Sequence, residues 1–300
     1  MFRLAHISDV HLGPLPAVSY RELASKRMLG YVNWQRNRRK LLHEGIVESL
    51  VADIGHQGVD HLAITGDLVN LALDGEIEIA RNWLTSLGAP EGVSVVPGNH
   101  DAYVPGAFAK ISKAWAPWMS ADGLIGNVSP ETFPYVRVRG NVALIGVTSA
   151  RATAPFMATG FFRSRQAERL VKALRDARER GLFRVVMIHY PPVRNAVPTH
   201  KRLLGIGRFQ RVIRLAGAEL VLHGHSHLPS RSTIRGKDGP VPVIGVSAAG
   251  QAPDGHKPVA QWNLFDISGE QGKWSLSLTR RAFTGPTTHC APLESVVLTP

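Results

Sequence analysis

Short apolar runs alternate with helical patterns through the first hundred residues of the chain. The runs Phe2–Ile7, His61–Thr65 and Val93–Val96 have the length and composition of buried strands, and each ends in a short polar motif. Between them, apolar residues recur at helical spacing around residues 46–54 and 77–87. This order of strand, helix, strand, helix, strand predicts right-handed crossovers and a parallel sheet.

The rest of the chain continues with strand-like and helical segments. A strong helical pattern covers Ser164–Arg180, and a shorter one covers Phe209–Leu215. Residues 117–134 are rich in loop-forming residues, and residues 283–300 predict an extended tail. We therefore predict one α/β domain with two sheets over residues 1–282. Further strands are predicted at Tyr135–Val138, Val142–Thr148, Leu182–Ile188, Glu219–Leu222, Val241–Val246, Gln261–Ile267 and Trp274–Thr279.

Composition adds a basic excess to this picture. The 300 residues are 44% apolar, and the formal net charge is +12. Such a charge favours anionic partners, namely phosphate esters, nucleic acids or acidic membrane surfaces, but does not choose among them. Cys290 is the only cysteine, which excludes an intramolecular disulfide and a thiolate metal cluster. No signal-peptide pattern and no apolar run of about 20 residues is present, so a cytoplasmic location is the default expectation.

Polar motifs follow five of the predicted strands. In an open α/β sheet the carboxyl ends of the strands gather at one edge, where ligands bind. We therefore expect the five motifs to converge in space, although they are far apart in sequence. They are Asp9-Val10-His11, Gly66-Asp67, Gly98-Asn99-His100-Asp101, His189, and Gly224-His225-Ser226-His227.

These motifs supply nitrogen and oxygen donors suited to transition metals. Two aspartates, one asparagine and four histidines are too many for one tetrahedral ion, but they suffice for two ions that share a carboxylate. Mixed imidazole and carboxylate ligands favour Mn²⁺, Fe or Zn²⁺ over Ca²⁺ or Mg²⁺ alone. Two such ions activate water and bind phosphate oxygens during in-line displacement. The candidate ligands are Asp9, His11, Asp67, Asn99, His189, His225 and His227.

The order of these five motifs resembles that of the calcineurin-like metallophosphoesterase superfamily, over roughly residues 1–250. The resemblance implies two mixed β-sheets packed as a sandwich and flanked by helices. It also implies that His100 faces the scissile phosphate, where it stabilises charge or protonates the leaving oxygen, and that Asp101 orients it. By the same resemblance Asp9, His11 and His227 would hold one metal, Asn99, His189 and His225 the other, and Asp67 would bridge them.

Within the superfamily the chain is most similar to the bacterial class III cyclic nucleotide phosphodiesterases. The similar stretches are residues 8–12, 65–68, 160–174, 189–192 and 213–227. Cyclic nucleotides are therefore the first substrates that we consider. A hydrolase of lipid-linked phosphodiesters or pyrophosphates is the second hypothesis. From another class, a basic nucleic-acid-binding protein with a degenerate metal site is the third, although we expect no specific nucleic acid. A homodimer is left open.

An insertion at about residues 19–40 departs from the class III pattern. Ser19 and Glu22 have the spacing of a capping box, which predicts a helix start. Between residues 20 and 40, seven basic residues stand against the single acid Glu22, and apolar residues such as Leu29 and Trp34 interleave with them. This composition suits an anionic membrane surface or a bulky anionic substrate. A solvated helix docked on the core is the alternative, and either arrangement would overhang the metal site.

Overall fold

The computed structural model describes residues 1–298 except 24, 36–44, 125, 254–256 and 286–289. The strands are β1 (Phe2–Ile7), β2 (His61–Ile64), β3 (Val93–Val95), β4 (Tyr135–Arg139), β5 (Val142–Gly146), β6 (Gly160–Phe161), β7 (Phe183–Met187), β8 (Leu203–Leu204), β9 (Leu220–His223), β10 (Ser230–Arg235), β11 (Pro240–Gly245), β12 (Gln261–Ser268), β13 (Ser275–Ala282) and β14 (Ala291–Leu298). The helices are α1 (Tyr20–Leu23), α2 (Arg27–Asn33), α3 (Ile46–His56), α4 (Asp74–Ser86), α5 (Ala107–Ala114), α6 (Ser164–Glu179) and α7 (Ile206–Ala216).

These strands form two mixed sheets of six strands each, besides a small pair of β6 and β8. The first sheet has the order β14-β13-β12-β1-β2-β3, in which β1, β2 and β3 are parallel. The second has the order β10-β11-β9-β7-β5-β4, in which β5, β7, β9 and β11 are parallel. The parallel strands of each sheet thus end at a shared edge, as the strand and helix order predicts.

The second sheet lies between the first sheet and a pair of helices. Successive side chains of a strand point to opposite faces. Accordingly, Val142 and Leu144 of β5 join the apolar core that contains the first sheet, whereas Ala143 and Ile145 join a second core with α6 and α7. Helices α3 and α4 bury apolar faces in the first core. The predicted α/β sandwich of two mixed sheets flanked by helices is confirmed. Within the described ranges, no helix has both the length and the apolar character that a bilayer crossing needs.

The predicted extended tail is wrong for residues 291–298. These residues form β14, which pairs antiparallel with β13 as the edge of the first sheet. Most of its side chains are exposed, and only Leu298 is buried. An edge strand is held by backbone hydrogen bonds to its one neighbour, so it needs no alternating apolar pattern. The polar strand β10 was missed for the same reason, since most of its residues also lie at least partly exposed.

A buried carboxylate connects α3 to the C-terminal strands. Asp53 of α3 is 1% exposed, and it accepts a hydrogen bond of 2.9 Å from Trp262 Nε1. It also accepts two bonds from Arg281, at 2.7 Å from Nε and 2.8 Å from Nη2. Arg281 Nη2 donates a further bond of 2.6 Å to the Cys290 carbonyl. This network joins α3, β12, β13 and the start of β14.

We expect Arg281→Ala to destabilise the protein by about 3 kcal/mol, because it leaves the buried charge of Asp53 without its partner. Arg231→Ala is the matched control, since Arg231 and its partner Glu294 form an exposed ion pair, and such pairs contribute at most about 1 kcal/mol. Urea denaturation of both variants measures the difference. Equal losses of stability would show that the Asp53 network does not hold the C-terminal strands.

Candidate metal centre

The candidate ligands come together at one edge of the sandwich, although they span residues 9–227. A continuous series of contacts joins them. It runs from Asp9 through His227, His11, Asp67 and His189 to Asn99 and His225. Three strands of the first sheet and two of the second supply them, each from just past its carboxyl end. Asp9 and His11 follow β1, Asp67 follows β2, Asn99 follows β3, His189 follows β7, and His225 and His227 follow β9.

One group of donors consists of Asp9, His11 and His227. Their ligand atoms lie within 4.8 Å of one another, and Asp9 Oδ1 is 3.1 Å from His227 Nε2. His11 Nδ1 lies 3.1 Å from the Val69 carbonyl, to which it must donate. The lone pair of His11 is therefore on Nε2, the atom nearest Asp67, at 4.0 Å from Oδ2.

The second group consists of Asp67, His189 and His225, again with ligand atoms within 4.8 Å. His189 Nδ1 donates to the Thr65 carbonyl at 2.6 Å. Its Nε2 faces two oxygens, Asn99 Oδ1 at 3.2 Å and Asp67 Oδ2 at 3.4 Å. An imidazole lone pair and two oxygen acceptors that converge in this way fit a cation, which satisfies all three.

His225 completes this second group with its remaining nitrogen. Its Nε2 lies 2.8 Å from the Lys201 carbonyl, so this nitrogen donates and Nδ1 carries the lone pair. Burial, followed by the nearby His189, lowers the pKa of His225 to about 3. The ring is therefore neutral, as a metal ligand must be.

The backbone at the ligands is conformationally costly. Asp9, His11, Asp67, His225 and His227 all have left-handed φ angles, between 48° and 68°. Non-glycine residues adopt this region rarely, and each such residue costs of order 1–3 kcal/mol. Five of the seven candidate ligands share this conformation, which indicates that the surrounding fold holds them in place for a function.

Two glycines are required by close approach to the ligands. A Cβ atom at Gly98 would lie 2.2 Å from Asp67 Oδ1, and one at Gly224 would lie 2.5 Å from Asp9 Oδ2. Neither distance is tolerable between non-bonded atoms. Space for the carboxylates is therefore the reason that these two positions require glycine.

The charges of the two groups favour a bound cation. Burial alone would raise the pKa of Asp9 and of Asp67, but nearby histidines outweigh it and hold both pKa values below their usual range. Burial also opposes charge on His189, yet Asp67 and Asp9 raise the pKa of that ring to about 9. The centre thus favours positive charge among its carboxylates, which is what a metal ion supplies.

His100 and Asp101 lie beside these groups, but their hydrogen bonds differ from the expectation. His100 Nδ1 donates to the Asn70 carbonyl at 2.6 Å, so this carbonyl orients the ring. Asp101 instead accepts bonds from the backbone N–H groups of Asp67 and Gly98, both at 2.8 Å, and also from those at positions 68 and 69. Burial and the charge of Asp67 raise the pKa of Asp101 to about 7. Asp101 therefore holds the loop of Asp67 in place, and its role in orienting His100 stays a prediction.

Other contributors were not identified from the sequence. Backbone carbonyls, which any residue type provides, orient four of the five histidines in and beside the two donor groups. These four are His11, His100, His189 and His225. Glu76 accepts N–H bonds from Asn70, Leu71 and Leu73 at 2.8–3.0 Å, and so fixes the loop that carries the Asn70 carbonyl. A glutamate in the first turn of a helix is a recognised capping signal, and it could have identified Glu76.

The described part of the basic insertion borders a cavity that Asn99 and His100 also line. Ser19 N donates to Glu22 Oε2 at 2.9 Å, which confirms the predicted helix start at α1. Arg27 Nε donates to the Leu71 carbonyl at 2.9 Å and docks α2 on the core, and Trp34 is buried. In contrast, Leu29 of α2 is 40% exposed. The basic residues Arg36, Arg38, Arg39 and Lys40 lie outside the described residues.

A family model of calcineurin-like phosphoesterases matches residues 2–229, which include every candidate ligand. The chain belongs to the calcineurin-like phosphoesterase family. It is a metal-dependent phosphoesterase, and its cofactor is a pair of transition-metal ions. The hypothesis of a nucleic-acid-binding protein with a degenerate site is not supported.

Solved structures resemble this phosphoesterase in fold. A dimetal phosphatase from Danio rerio has a TM-score of 0.59 at 13% identity, with 99% of this chain and 98% of that chain covered. The purple acid phosphatase PPD1 of yellow lupin has a TM-score of 0.59 at 11% identity, with 99% of this chain and 53% of that chain covered. A search of curated proteins by sequence gave no match. At these identities the likeness concerns the fold alone.

Proposed function

We propose that this phosphoesterase hydrolyses phosphodiesters at the two donor groups described above. The observation that carries the proposal is the convergence of both groups on Asp67, next to His100. In this proposal Asp67 is the shared ligand. Asp9, His11 and His227 complete one metal site, and Asn99, His189 and His225 complete the other.

In this proposal His100 transfers a proton to the leaving group. Its Nδ1 is committed to the Asn70 carbonyl, so Nε2 is the atom that carries the transferable proton. Bound metal ions supply an activated water and neutralise phosphate oxygens. The water would lose one proton to solvent as its oxygen bonds to phosphorus, and the bond from phosphorus to the leaving oxygen would break. His100 Nε2 would give its proton to that oxygen and take one back from solvent. The ring of Tyr103 stacks on His100 at 5.4 Å and limits its tilt.

Space beside His100 leaves room for an organic substituent of the phosphate. A cavity of about 500 Å³ borders both His100 and Asn99. A phosphomonoester has one organic substituent, whereas a diester has a second that needs room next to the phosphate. Cyclic nucleotides are one diester class to test, on the strength of the sequence stretches that resemble the class III enzymes.

Metal removal and reconstitution test this function. We expect the protein to contain two transition-metal ions per chain by elemental analysis after loading with Mn²⁺. Hydrolysis of bis(p-nitrophenyl) phosphate should fall to background on chelation and return with Mn²⁺. The monoester p-nitrophenyl phosphate is the matched comparison, since it has the same leaving group. Well under one metal per chain, or a kcat/KM that is higher for the monoester, would contradict the proposal.

A further inference from the structure

The cavity beside the metal centre has apolar walls from two separate parts of the chain. Leu29 and Val32 of α2 form one wall. Phe156 and Met157, in the loop after β5, form the other, and Tyr103 lies between them and the centre. We call this cavity of about 500 Å³ the apolar pocket.

The apolar side chains of this pocket are unusually open to solvent. Phe156 is 81% exposed, Leu29 and Val32 are each 40% exposed, and Met157 is 39% exposed. Exposed apolar groups that cluster at a cavity mark a site for an apolar partner. Phe156 also has a left-handed φ of 64°, which is costly for a bulky residue. Such strain is concentrated at ligand-binding and active sites.

Lys26 holds the two walls together. Its Nζ donates to Thr153 Oγ1 at 2.7 Å and to the Met157 carbonyl at 2.8 Å. The same ammonium lies 4.7 Å from the centre of the Tyr103 ring. Because one side chain links α2 to the opposite loop, the apolar pocket is already formed before a ligand enters. A preformed site avoids the entropy cost of ordering its walls on binding.

The polar end of the pocket is the metal centre itself. Asn99 and His100 line the pocket and also belong to the centre or adjoin it. Lys201 lines it as well, and its carbonyl accepts the hydrogen bond from the ligand His225. A molecule whose phosphate lies at the centre therefore has polar residues of the pocket near its charge and apolar walls beyond it.

From this arrangement we infer that the substrate is amphiphilic: a phosphate ester whose alkyl or acyl chain lies in the apolar pocket while its phosphate lies at the metal centre. The inference rests on the proposed function, because it places the phosphate where hydrolysis occurs. The exposed apolar residues of the insertion, which the metal chemistry does not use, would contact the alkyl or acyl group of this substrate.

Binding of n-alkylphosphonates, which are not hydrolysed, tests the pocket independently of turnover. Calorimetry with the Mn²⁺-loaded protein should show Kd falling from methyl- through butyl- to octylphosphonate. A fully buried methylene contributes up to about fourfold in affinity, so a partly open pocket should give a total gain of at least about tenfold. Concentrations are kept below those at which octylphosphonate forms micelles. A Kd that is independent of chain length would overturn the inference.

Substitutions of exposed residues locate the effect. Phe156→Ser and Val32→Ser should each lower the ratio of octyl- to methylphosphonate affinity by about threefold or more, because each removes apolar contact. Leu215→Ser is the matched control, since Leu215 is 51% exposed on α7 outside the pocket, and it should leave the ratio unchanged. Equal affinity ratios in all three variants would mean that the alkyl group of the phosphonate binds outside the apolar pocket.

Hydrolysis of alkyl p-nitrophenyl phosphates, from methyl to octyl, separates this inference from the proposed function. We expect kcat/KM to rise with chain length in parallel with phosphonate affinity. Affinity that depends on chain length without hydrolysis of any diester would overturn the proposed function and uphold the pocket. Hydrolysis could instead be equal across alkyl lengths, or faster for thymidine 5′-(p-nitrophenyl phosphate) than for the octyl ester. Either result would overturn the inference of an amphiphilic substrate but would not contradict the proposed function.

Discussion

Asp67→Asn is expected to lower kcat/KM about a thousandfold and to reduce metal content at both sites. Asp67 is 1% exposed, and its Oδ2 lies 3.4 Å from His189 Nε2 and 4.0 Å from His11 Nε2. It thus lies near both donor groups, and in the proposed centre an amide would remove its negative charge from between two cations. Metal ions supply several kcal/mol of transition-state stabilisation, and about 4 kcal/mol corresponds to about a thousandfold in rate.

The loss should exceed that of a variant in which one metal site alone is affected. His227→Asn is the matched comparison, because His227 lies in the group of Asp9 and His11 only. Asp238→Asn controls for a change of charge on the surface, where Asp238 pairs with Arg178. Elemental analysis and kcat/KM are measured for all three, with circular dichroism to verify folding. Two retained metals and near-normal turnover in Asp67→Asn would show that Asp67 is not the shared ligand.

His100→Ala is expected to lower turnover by about 10²–10⁴-fold, the usual contribution of a placed proton donor, while both metals stay bound. His100 is held by the Asn70 carbonyl on one side and stacked on Tyr103 on the other, so its Nε2 has a defined position. His56→Ala, at the exposed end of α3, is the control for a histidine remote from the centre.

The leaving group distinguishes the two roles of His100. If it protonates the leaving oxygen, the loss shrinks for p-nitrophenyl esters, which need no protonation, and is full for alkyl esters. Equal losses across leaving groups would indicate charge stabilisation alone. The ligand atoms of His11, Asp67 and His100 also lie within 4.8 Å of one another. Loss of metal in His100→Ala would therefore mean that His100 is a ligand.

Strands with buried side chains were predicted well from the sequence. The predicted Phe2–Ile7 matches β1 residue for residue, and Gln261–Ile267 differs from β12 by one residue at its end. Burial on one or both faces imposes an apolar pattern that a reader of the sequence can recognise. Strands β10 and β14 were missed because their neighbours hold them through the backbone, which leaves most of their side chains at least partly exposed.

The candidate metal donors could be proposed from the sequence because each motif is local. A motif such as Gly-His-Ser-His follows an apolar strand within a few residues, and the carboxyl ends of parallel strands meet at one edge. The orientation of Asp101 could not be predicted in this way. Its carboxylate accepts four hydrogen bonds from backbone N–H groups of residues 67–69 and 98. Because every residue except proline has a backbone N–H, such bonds do not restrict the residue types at those positions.

The sequence by itself determined the candidate donors, the family and the order of the main strands, since these depend on residue types and on spacing along the chain. Only the tertiary structure decided that Asp67 lies between both donor groups, which nitrogen of each histidine faces inward, and that Phe156 stands opposite Val32. The physical reason is that these features are distances between residues far apart in the chain. They are set by how the sheets and loops pack, and local sequence patterns do not record that packing.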